Sequence, residues 1–404
     1  MFFSPNKMSE QITIIGGGIG GLTLALALEQ KNIDYQLYEQ AQSFEALGYG
    51  LQLSPNVVRV FRQWGLEKNL AKISHRCFGF ELRSFEGDNI LARWKLSSDV
   101  PYYQCRRADL HQLLFNSIKD HRKIHFSQRL EGYEQKNKLV HLHFTNQNSL
   151  TTGALIGADG VRSQIRKTLF PSYKAEYAGY SAYRAILPFQ DSYQPLLGKA
   201  TVWMGENHHV VAYANGNQGE KTQWLNLVLV LKDPNWQKQG WTIPANKQEI
   251  AQNFKNTSPL LNEILKEMIS NTEPCYKWGL FTHNPLPYWS EGKTTILGDA
   301  AHPMLPFQAQ GAAMAIEDAY ILAQCIAQKN TIETAFGNYE KLRLRRTARV
   351  QQTSRNNADI FHATGIKAMV RNLGLGLISS VNGQLLNQKT AWIYNYDVTS
   401  LWSS

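Results

Sequence analysis

The stretch that decides the fold lies near the start of the chain and reads Ile12-Thr13-Ile14-Ile15-Gly16-Gly17-Gly18-Ile19-Gly20-Gly21. Its β-branched residues predict a strand, and the apolar residues 22–28 predict a helix directly after the glycines. The Gly-x-Gly-x-x-Gly spacing between them is typical of a turn that binds a dinucleotide pyrophosphate at a helix N-terminus. In such a turn Gly16 permits the bend, Gly18 allows the backbone to approach the pyrophosphate, and Gly21 allows helix and strand to pack closely.

A second predicted strand, Tyr35-Gln36-Leu37-Tyr38, ends at the acidic residue Glu39. A carboxylate at this distance from the glycines, about 20 residues, is suited to bind the ribose hydroxyls of an adenosine. Strand, turn, helix and carboxylate together predict dinucleotide binding. The alternative is a glycine-rich turn in some other α/β protein.

The bulk composition bounds the class of protein. With 404 residues the chain is too long for one compact core and fits two domains. No segment offers about 20 uncharged apolar residues, so we expect no transmembrane helix. The first residues, MFFSPNK, lack the apolar core of a signal peptide. We therefore expect a cytoplasmic protein. For its oligomeric state, which the sequence does not fix, we expect a monomer or a homodimer.

The spacing of the cysteines and the distribution of charge weigh against a metal-binding protein and a nucleic-acid-binding protein. The four cysteines (Cys77, Cys105, Cys275 and Cys325) form no Cys-x-x-Cys pair and no metal-ligand spacing. We therefore expect no metal site, and buried free thiols in a reducing compartment. The formal net charge is +10, but the basic residues are spread along the chain. Attraction of anionic cofactors and a small anionic substrate explains this charge better than nucleic-acid binding does.

The order of predicted elements indicates two interleaved units. Strands and helices alternate at both ends, whereas residues from about 180 to 285 are mostly strand-like, with one predicted helix over Lys247–Ile269. We predict an α/β fold: a discontinuous Rossmann-like domain, an inserted, mostly antiparallel β-sheet domain for the substrate, and C-terminal helices. The predicted segments are 9–178 (with a β excursion near 78–100 joining the substrate domain), 179–288, 289–355 and 356–404.

Two further motifs each place an aspartate at the carboxyl end of a short apolar strand. The first motif reads Leu155-Ile156-Gly157-Ala158-Asp159-Gly160-Val161-Arg162-Ser163-Gln164-Ile165-Arg166. The second reads Leu297-Gly298-Asp299-Ala300-Ala301-His302-Pro303 and continues through Pro306 and Gln310-Gly311 to Glu317-Asp318-Ala319. Ligands of open α/β sheets bind at this edge, and a helix N-terminus after Asp299 would favour an anion or a polarised ring oxygen.

Together, in this order, the three motifs resemble those of the FAD-dependent aromatic hydroxylases, the single-component flavoprotein monooxygenases related to para-hydroxybenzoate hydroxylase. The resemblance extends over nearly the whole chain. It includes Gly50-Leu51-Gln52-Leu53-Ser54-Pro55-Asn56, Arg107-Ala108-Asp109-Leu110-His111 and the late stretch Trp392-Ile393-Tyr394-Asn395-Tyr396-Asp397. The stretch from Pro306 to Ala315 is most similar to the salicylate hydroxylase and 6-hydroxynicotinate 3-monooxygenase branch.

The resemblance implies a set of FAD contacts. Gly16, Gly18 and Gly21 would cradle the pyrophosphate, Glu39 would hold the ribose, and Arg107 would contact the phosphate and ribityl region. Asp299 would bind the ribityl chain, and Asp159 belongs to the motif that serves FAD and the NAD(P)H path. Gly311 and Ala312 would present N–H groups near the flavin ring, and Gln52 and Pro306 are further expected cofactor-binding residues. The alternatives are a surface salt bridge for Arg107 and a turn-capping role for Asp159.

The resemblance also implies the reaction. NAD(P)H would reduce the bound FAD, O2 would add to give a flavin C4a-hydroperoxide, and its distal oxygen would attack an electron-rich ring of an aromatic or N-heteroaromatic acid or phenol. The protein would position the ring, exclude water and remove a phenolic proton. No second Gly-x-Gly-x-x-Gly is visible, which suits a family that binds NAD(P)H transiently.

The substrate side offers three candidates. His209 and Tyr213 lie four residues apart, so on a strand both face the same side. The 6-hydroxynicotinate branch has a similar His-x-x-x-Tyr that assists deprotonation of the ring, and histidine is the natural base near neutrality. A surface histidine and a core tyrosine are the alternative. Arg184 would orient a carboxylate or the nicotinamide nucleotide, unless its role is structural.

Some residues depart from the pattern of this branch, and rival functions stay open. We expect His302 to support the loop after Asp299 rather than to act as a base. Phe307 stands where the 6-hydroxynicotinate branch often carries histidine, and Gln52 stands where a histidine also occurs in some members, which weighs against that particular substrate. The rival functions are an FAD-dependent epoxidase or quinone-pathway hydroxylase acting on a more lipophilic substrate, and a catalytically silent flavin-binding protein.

Overall fold

The computed structural model describes residues 11–44, 49–87, 89–216, 223–236, 243–271, 275–365, 367–368 and 383–402. The strands are β1 (Ile12–Ile15), β2 (Tyr35–Tyr38), β3 (Gly50–Leu53), β4 (Ser74–Cys77), β5 (Gly79–Ser84), β6 (Ile90–Lys95), β7 (Tyr102–Arg106), β8 (Ile124–His125), β9 (Leu130–Lys136), β10 (Leu139–Phe144), β11 (Ser149–Thr152), β12 (Ala154–Gly157), β13 (Glu176–Pro188), β14 (Lys199–Met204), β15 (His208–Asn215), β16 (Trp224–Lys232), β17 (Ile243–Pro244), β18 (Tyr276–Thr282), β19 (Ser290–Glu291) and β20 (Thr294–Ile296). The α-helices are α1 (Ile19–Glu29), α2 (Pro55–Gln63), α3 (Glu67–Lys72), α4 (Arg107–Ser117), α5 (Gln164–Leu169), α6 (Lys247–Asn253), α7 (Pro259–Ser270), α8 (Gly311–Gln328), α9 (Ile332–Phe361) and α10 (Gly383–Tyr394).

The six-stranded sheet has the order β19-β20-β12-β1-β2-β8. The strands from β20 to β8 pair in parallel, and β19 is an antiparallel edge. Every residue of β1 and β12 is buried, and the core around them includes Leu22 and Leu26 of α1 and Val140 and Leu142 of β10. The chain enters this sheet again at β20 after more than a hundred residues, so the Rossmann-like domain is discontinuous.

The inserted eight-stranded sheet has the order β17-β18-β13-β16-β15-β14-β5-β6 and is antiparallel except for the β14–β5 pair. Successive side chains along each of its strands point to opposite faces of the sheet, and the two faces have different environments. Val210 and Ala212 of β15 belong to a core with α6 and α7, whereas His209, Val211 and Tyr213 face a cavity. The strands β5 and β6 come from the earlier part of the chain and extend this sheet at one edge.

The prediction of a single helix over Lys247–Ile269 is wrong, because the segment forms α6 and α7 with a break between them. The second helix begins at Pro259, a residue that suits the first turn of a helix but interrupts a helix interior. Phe254 and Leu261, on either side of the break, are both buried against the inserted sheet. The apolar pattern is therefore continuous although the helix is not.

The predicted fold class is confirmed: a discontinuous Rossmann-like unit carries an inserted, mostly antiparallel sheet and is followed by helices. The segment boundaries stay predictions, and α9 runs unbroken through the one at residue 355. Among the described helices, none combines the length and the apolar character required to cross a membrane. Cys77, Cys105, Cys275 and Cys325 all lie in the described part, where each is buried and free.

Candidate active site

A cavity of about 390 Å³ lies between the carboxyl edge of the six-stranded sheet and one face of the inserted sheet. Many of the residues singled out from the sequence line it: Gly18, Gln52, Arg107, Arg184, His209, Tyr213, Asp299, Pro306, Gly311 and Ala312. Gly16, Gly21, Glu39 and Asp159 are not among the residues that line it. The cavity therefore joins the glycine-rich turn to the His-x-x-x-Tyr strand in one space.

The three glycines of the first motif occupy three different environments. Gly16 has φ +104°, and a Cβ there would lie 2.5 Å from the carbonyl oxygen of Ala158. A Cβ on Gly21 would lie 1.9 Å from the carbonyl oxygen of Gly16, so only glycine lets α1 approach the turn. A Cβ on Gly18 would meet no atom within 4 Å, because this residue faces the open cavity. The open side of the turn thus has room for a phosphate.

The carboxylates of Glu39 and Asp159 accept hydrogen bonds from backbone N–H groups. The carboxylate of Glu39 accepts hydrogen bonds from the N–H groups of Gly17 (2.6 Å) and Ala41 (2.8 Å). Oδ2 of Asp159 accepts from the N–H of Gln164 at 2.7 Å, at the start of α5, and burial raises the pKa of this carboxyl. Direct contact of either residue with FAD stays a prediction.

Asp299 is exposed to the cavity, and its position is fixed through its backbone. Nη1 of the buried Arg166 donates to the carbonyl oxygens of Asp299 (3.0 Å) and Ala300 (2.8 Å). Arg166 also donates to the carbonyl oxygen of Val161. This arginine therefore links the second motif to the third, a role that its place in the sequence does not reveal.

A buried ion cluster, formed by Asn56, Glu317, Asp318, Arg343 and Arg346, lies beneath this wall. Arg343 donates from Nη1 to Glu317 at 2.5 Å and from Nε to Asp318 at 2.7 Å. Arg346 donates from Nε and Nη2 to Glu317, both at 2.8 Å. Asn56 donates to Glu317 at 2.6 Å and thereby ties the start of α2 to α8.

This cluster positions the cavity wall. Asp318 accepts from the N–H of Gly298 at 3.0 Å and contacts Nε2 of His302 at 2.5 Å, so it holds both ends of the turn that presents Asp299. The pKa of Asp318 falls to about 2, because attraction to His302 and Arg343 outweighs the burial that would raise it. His302 thus supports this loop. Above the cluster, α8 begins at Gly311, and its first N–H groups have no partner within the helix.

On the opposite wall His209 pairs with a second histidine. Nδ1 of His209 lies 2.8 Å from Nε2 of His362, the residue that follows α9, and both side chains are buried. Burial, with smaller contributions from His362 and His208, holds the pKa of His209 well below its usual range. His209 is therefore neutral near pH 7 and presents its other ring nitrogen to the cavity.

Arg184 and Tyr213 share this wall. The Arg184 guanidinium lies 4.9 Å from the ring centroid of Trp278 and 5.7 Å from that of Tyr49. Its Nε is buried, and the described residues offer it no hydrogen-bond partner. Burial lowers the pKa of Arg184 and raises that of Tyr213, whose hydroxyl is consequently protonated at neutral pH. The wall thus holds a cation and a phenol that are both available to a bound molecule.

These features fit FAD. The glycine turn opens toward the cavity, Asp299 is exposed beside the free N–H groups of α8, and the guanidinium of Arg107 has no ion-pair partner among the described residues. The glycine turn and the Arg107 guanidinium match a pyrophosphate, Asp299 matches ribityl hydroxyls, and the N–H groups of α8 match a polarised ring oxygen. A flavoprotein oxidoreductase is the class that this fold and cavity define.

Comparison with known proteins identifies the family. The family profile described as "FAD binding domain" matches residues 9–354, and the chain belongs to that family. It is 31% identical over 403 residues to the 3-amino-4-hydroxybenzoate 2-monooxygenase PtnB3 of Streptomyces platensis, covering 97% of this chain and 98% of that protein. It is 32% identical over 362 residues to the 6-hydroxynicotinate 3-monooxygenase of Pseudomonas fluorescens, covering 87% and 92%.

A solved salicylate hydroxylase substrate complex has the same fold, with a TM-score of 0.81 at 24% identity over 98% of this chain and 97% of that one. The expected membership of the FAD-dependent aromatic hydroxylases is confirmed, and the protein is an FAD-dependent monooxygenase. Sequence reasoning quoted Arg166 without assigning it a role and missed Trp278 and His362, since each acts through contacts distant in sequence.

Proposed function

We propose that this monooxygenase hydroxylates an aromatic or N-heteroaromatic ring that carries an acidic substituent and an ionisable ring group, using NAD(P)H and O2. One observation carries the proposal: a single cavity joins the open glycine turn and Asp299 to a sheet face that bears His209, Tyr213 and Arg184. The relatives named above act on hydroxybenzoates or hydroxynicotinates, which have both groups.

The first part of the proposal concerns the cofactor side. FAD, once reduced by NAD(P)H, supplies the activation of O2 from which one oxygen atom passes to the ring. The glycine turn and Arg107 hold its pyrophosphate, and Asp299 accepts a hydrogen bond from its ribityl chain. The N–H groups at Gly311 and Ala312 stabilise negative charge on its ring, because a helix N-terminus carries a positive partial charge. The buried ion cluster keeps these groups in place before FAD binds.

The second part concerns the substrate. Arg184 binds the acidic substituent, because an unpaired cation shielded from water gains most from an anionic partner. His209 accepts the proton of the ring hydroxyl or ring N–H through Nε2, since its Nδ1 is engaged with His362. Tyr213 donates a hydrogen bond to the same group. Val211, Val228, Val230 and Leu305 line the cavity between them and keep water from the reacting carbon.

The test uses purified enzyme, FAD and a panel of hydroxybenzoates, aminohydroxybenzoates and hydroxynicotinates. We expect the yellow protein to oxidise NADPH or NADH faster with one of these acids, and mass spectrometry under ¹⁸O2 to find one heavy oxygen atom in the product. Neutral phenols lacking the acidic group serve as matched controls. Hydroxylation of lipophilic neutral rings instead of acids would favour the quinone-pathway alternative. A yellow protein that forms no product with any of these compounds would contradict the proposed substrate class.

A further inference from the structure

His362 is the one polar contact of His209 that the described structure records, and it comes from a distant part of the chain. The two ring nitrogens lie 2.8 Å apart across a sequence separation of 153 residues. Only 2% of His209 and 6% of His362 is exposed, so bulk water does not compete for this hydrogen bond. The pair joins the inserted sheet to the end of α9.

Aromatic rings fix the orientation of His362. Its ring stacks on Tyr180 with centroids 4.5 Å apart and planes inclined by 23°. Phe307 meets the same ring edge-on at 5.6 Å and also contacts His209 at 5.5 Å. Neither imidazole can therefore turn away from the other without disturbing this packing.

The shared hydrogen bond determines where His209 carries its proton. Between two neutral imidazoles one nitrogen donates and the other accepts. If His362 accepts, His209 is protonated at Nδ1 and its Nε2 is an acceptor facing the cavity. If His362 donates, His209 must carry its proton on Nε2 and cannot remove one from a bound ring. The tautomer is thus decided by His362.

We propose that His362 accepts the Nδ1–H of His209 and is the positioning residue that keeps Nε2 of His209 unprotonated toward the cavity. This inference rests on the proposed function, because only this arrangement gives the acceptor that proton removal requires. When Nε2 gains the substrate proton, the Nδ1–H···Nε2 bond to His362 becomes charge-assisted and stabilises the resulting imidazolium. No atom is exchanged in this step except that proton.

The experiment measures the tautomer directly, on FAD-loaded enzyme labelled with ¹⁵N-histidine, without substrate or NAD(P)H. The His209 signals are assigned by their absence from the His209→Asn spectrum. Wild type should show a protonated Nδ1 and an unprotonated Nε2. H362Q should keep this pattern, because the glutamine amide oxygen can accept from Nδ1–H. H362L should lose it and protonate Nε2 in at least part of the molecules, while FAD content and unfolding temperature stay near wild type.

If H362L fails to bind FAD or to fold, H362M takes its place, because methionine has similar bulk and no N–H or oxygen acceptor. A protonated Nε2 in wild type, or an unchanged tautomer in the apolar variant, would overturn the inference. Failure of hydroxylation in the substrate panel would contradict the proposed function and leave this result standing, since the tautomer is read without turnover.

Discussion

The two walls of the cavity differ in whether their buried charges are paired. Beneath the cofactor side, Glu317, Asp318 and Arg343 are buried, and each charge meets an opposite charge within 2.5–2.7 Å. On the inserted sheet, Arg184 keeps a buried Nε without a partner among the described residues, and His209 has one ring nitrogen left for the cavity. The buried charges beneath the cofactor wall are paired with one another before any ligand arrives, whereas the buried cation of the other wall is not.

This difference indicates that the first wall holds the cofactor in place and that the second wall carries the groups that act on the substrate. A buried ion pair is costly to break and fixes the geometry of whatever it contacts, here the turn that presents Asp299. Unpaired polar groups cost stability and are retained where a ligand completes them. We therefore expect substitutions on the first wall to affect folding and FAD content, and substitutions on the second to affect substrate binding and chemistry.

The largest effect should follow Arg343→Met, which removes a buried cation and leaves two carboxylates short of a partner. Breaking such a pair costs about 3–5 kcal/mol in the free energy of unfolding. Chemical denaturation measures this loss. Arg62→Met is the matched control, because Arg62 is half exposed in its pair with Glu67 and should contribute at most about 1 kcal/mol. Equal losses in the two variants would show that the cluster does not stabilise the wall.

A smaller effect should follow Arg184→Met, on substrate binding alone. Loss of a hydrogen bond to a charged group costs about 1.5–3 kcal/mol, which is roughly a tenfold to hundredfold rise in Kd. Titration followed by flavin absorbance compares 3-amino-4-hydroxybenzoate with 2-aminophenol, which lacks the carboxylate. The variant should lose affinity for the acid and not for the aminophenol, and Arg184→Lys should recover part of it. Parallel loss for both compounds would assign Arg184 a structural role.

The smallest effect should follow Asp299→Ala, on FAD affinity. Removing the partner of one hydrogen bond costs about 1–3 kcal/mol, so the variant should fold but purify with less flavin. The Kd of the apoprotein for FAD is measured by quenching of flavin fluorescence. Asp34→Ala, which removes a surface carboxylate paired with Lys123, should leave this Kd unchanged. A fully yellow Asp299→Ala with wild-type Kd would contradict the assignment.

The parts of the molecule that follow from local sequence were predictable. Gly21 is dictated by a contact within one strand-turn-helix unit, Gly16 has the positive φ of the same turn, and His209 and Tyr213 share a face because a strand alternates. The contacts that complete the site are not local: Arg166 reaches Asp299 across 133 residues, and His362 reaches His209 across 153. The periodicity of apolar residues along the sequence contains no signal for such long-range contacts. The missed break before α7 shows the same limit, since burial against the sheet continues through it.

The most direct test of the contrast between the walls is the amount of product formed per NAD(P)H consumed. It is measured in His209→Ala at full FAD occupancy, from pH 6 to 9. A general base contributes about 10²–10⁴-fold, so turnover or coupling should fall while FAD content stays normal, with hydrogen peroxide accounting for the difference. The loss of turnover or coupling relative to wild type should be larger at low pH. There the substrate is less ionised on its own, whereas His209, with its lowered pKa, stays neutral in wild type. Coupling and turnover equal to wild type across this range would contradict the account.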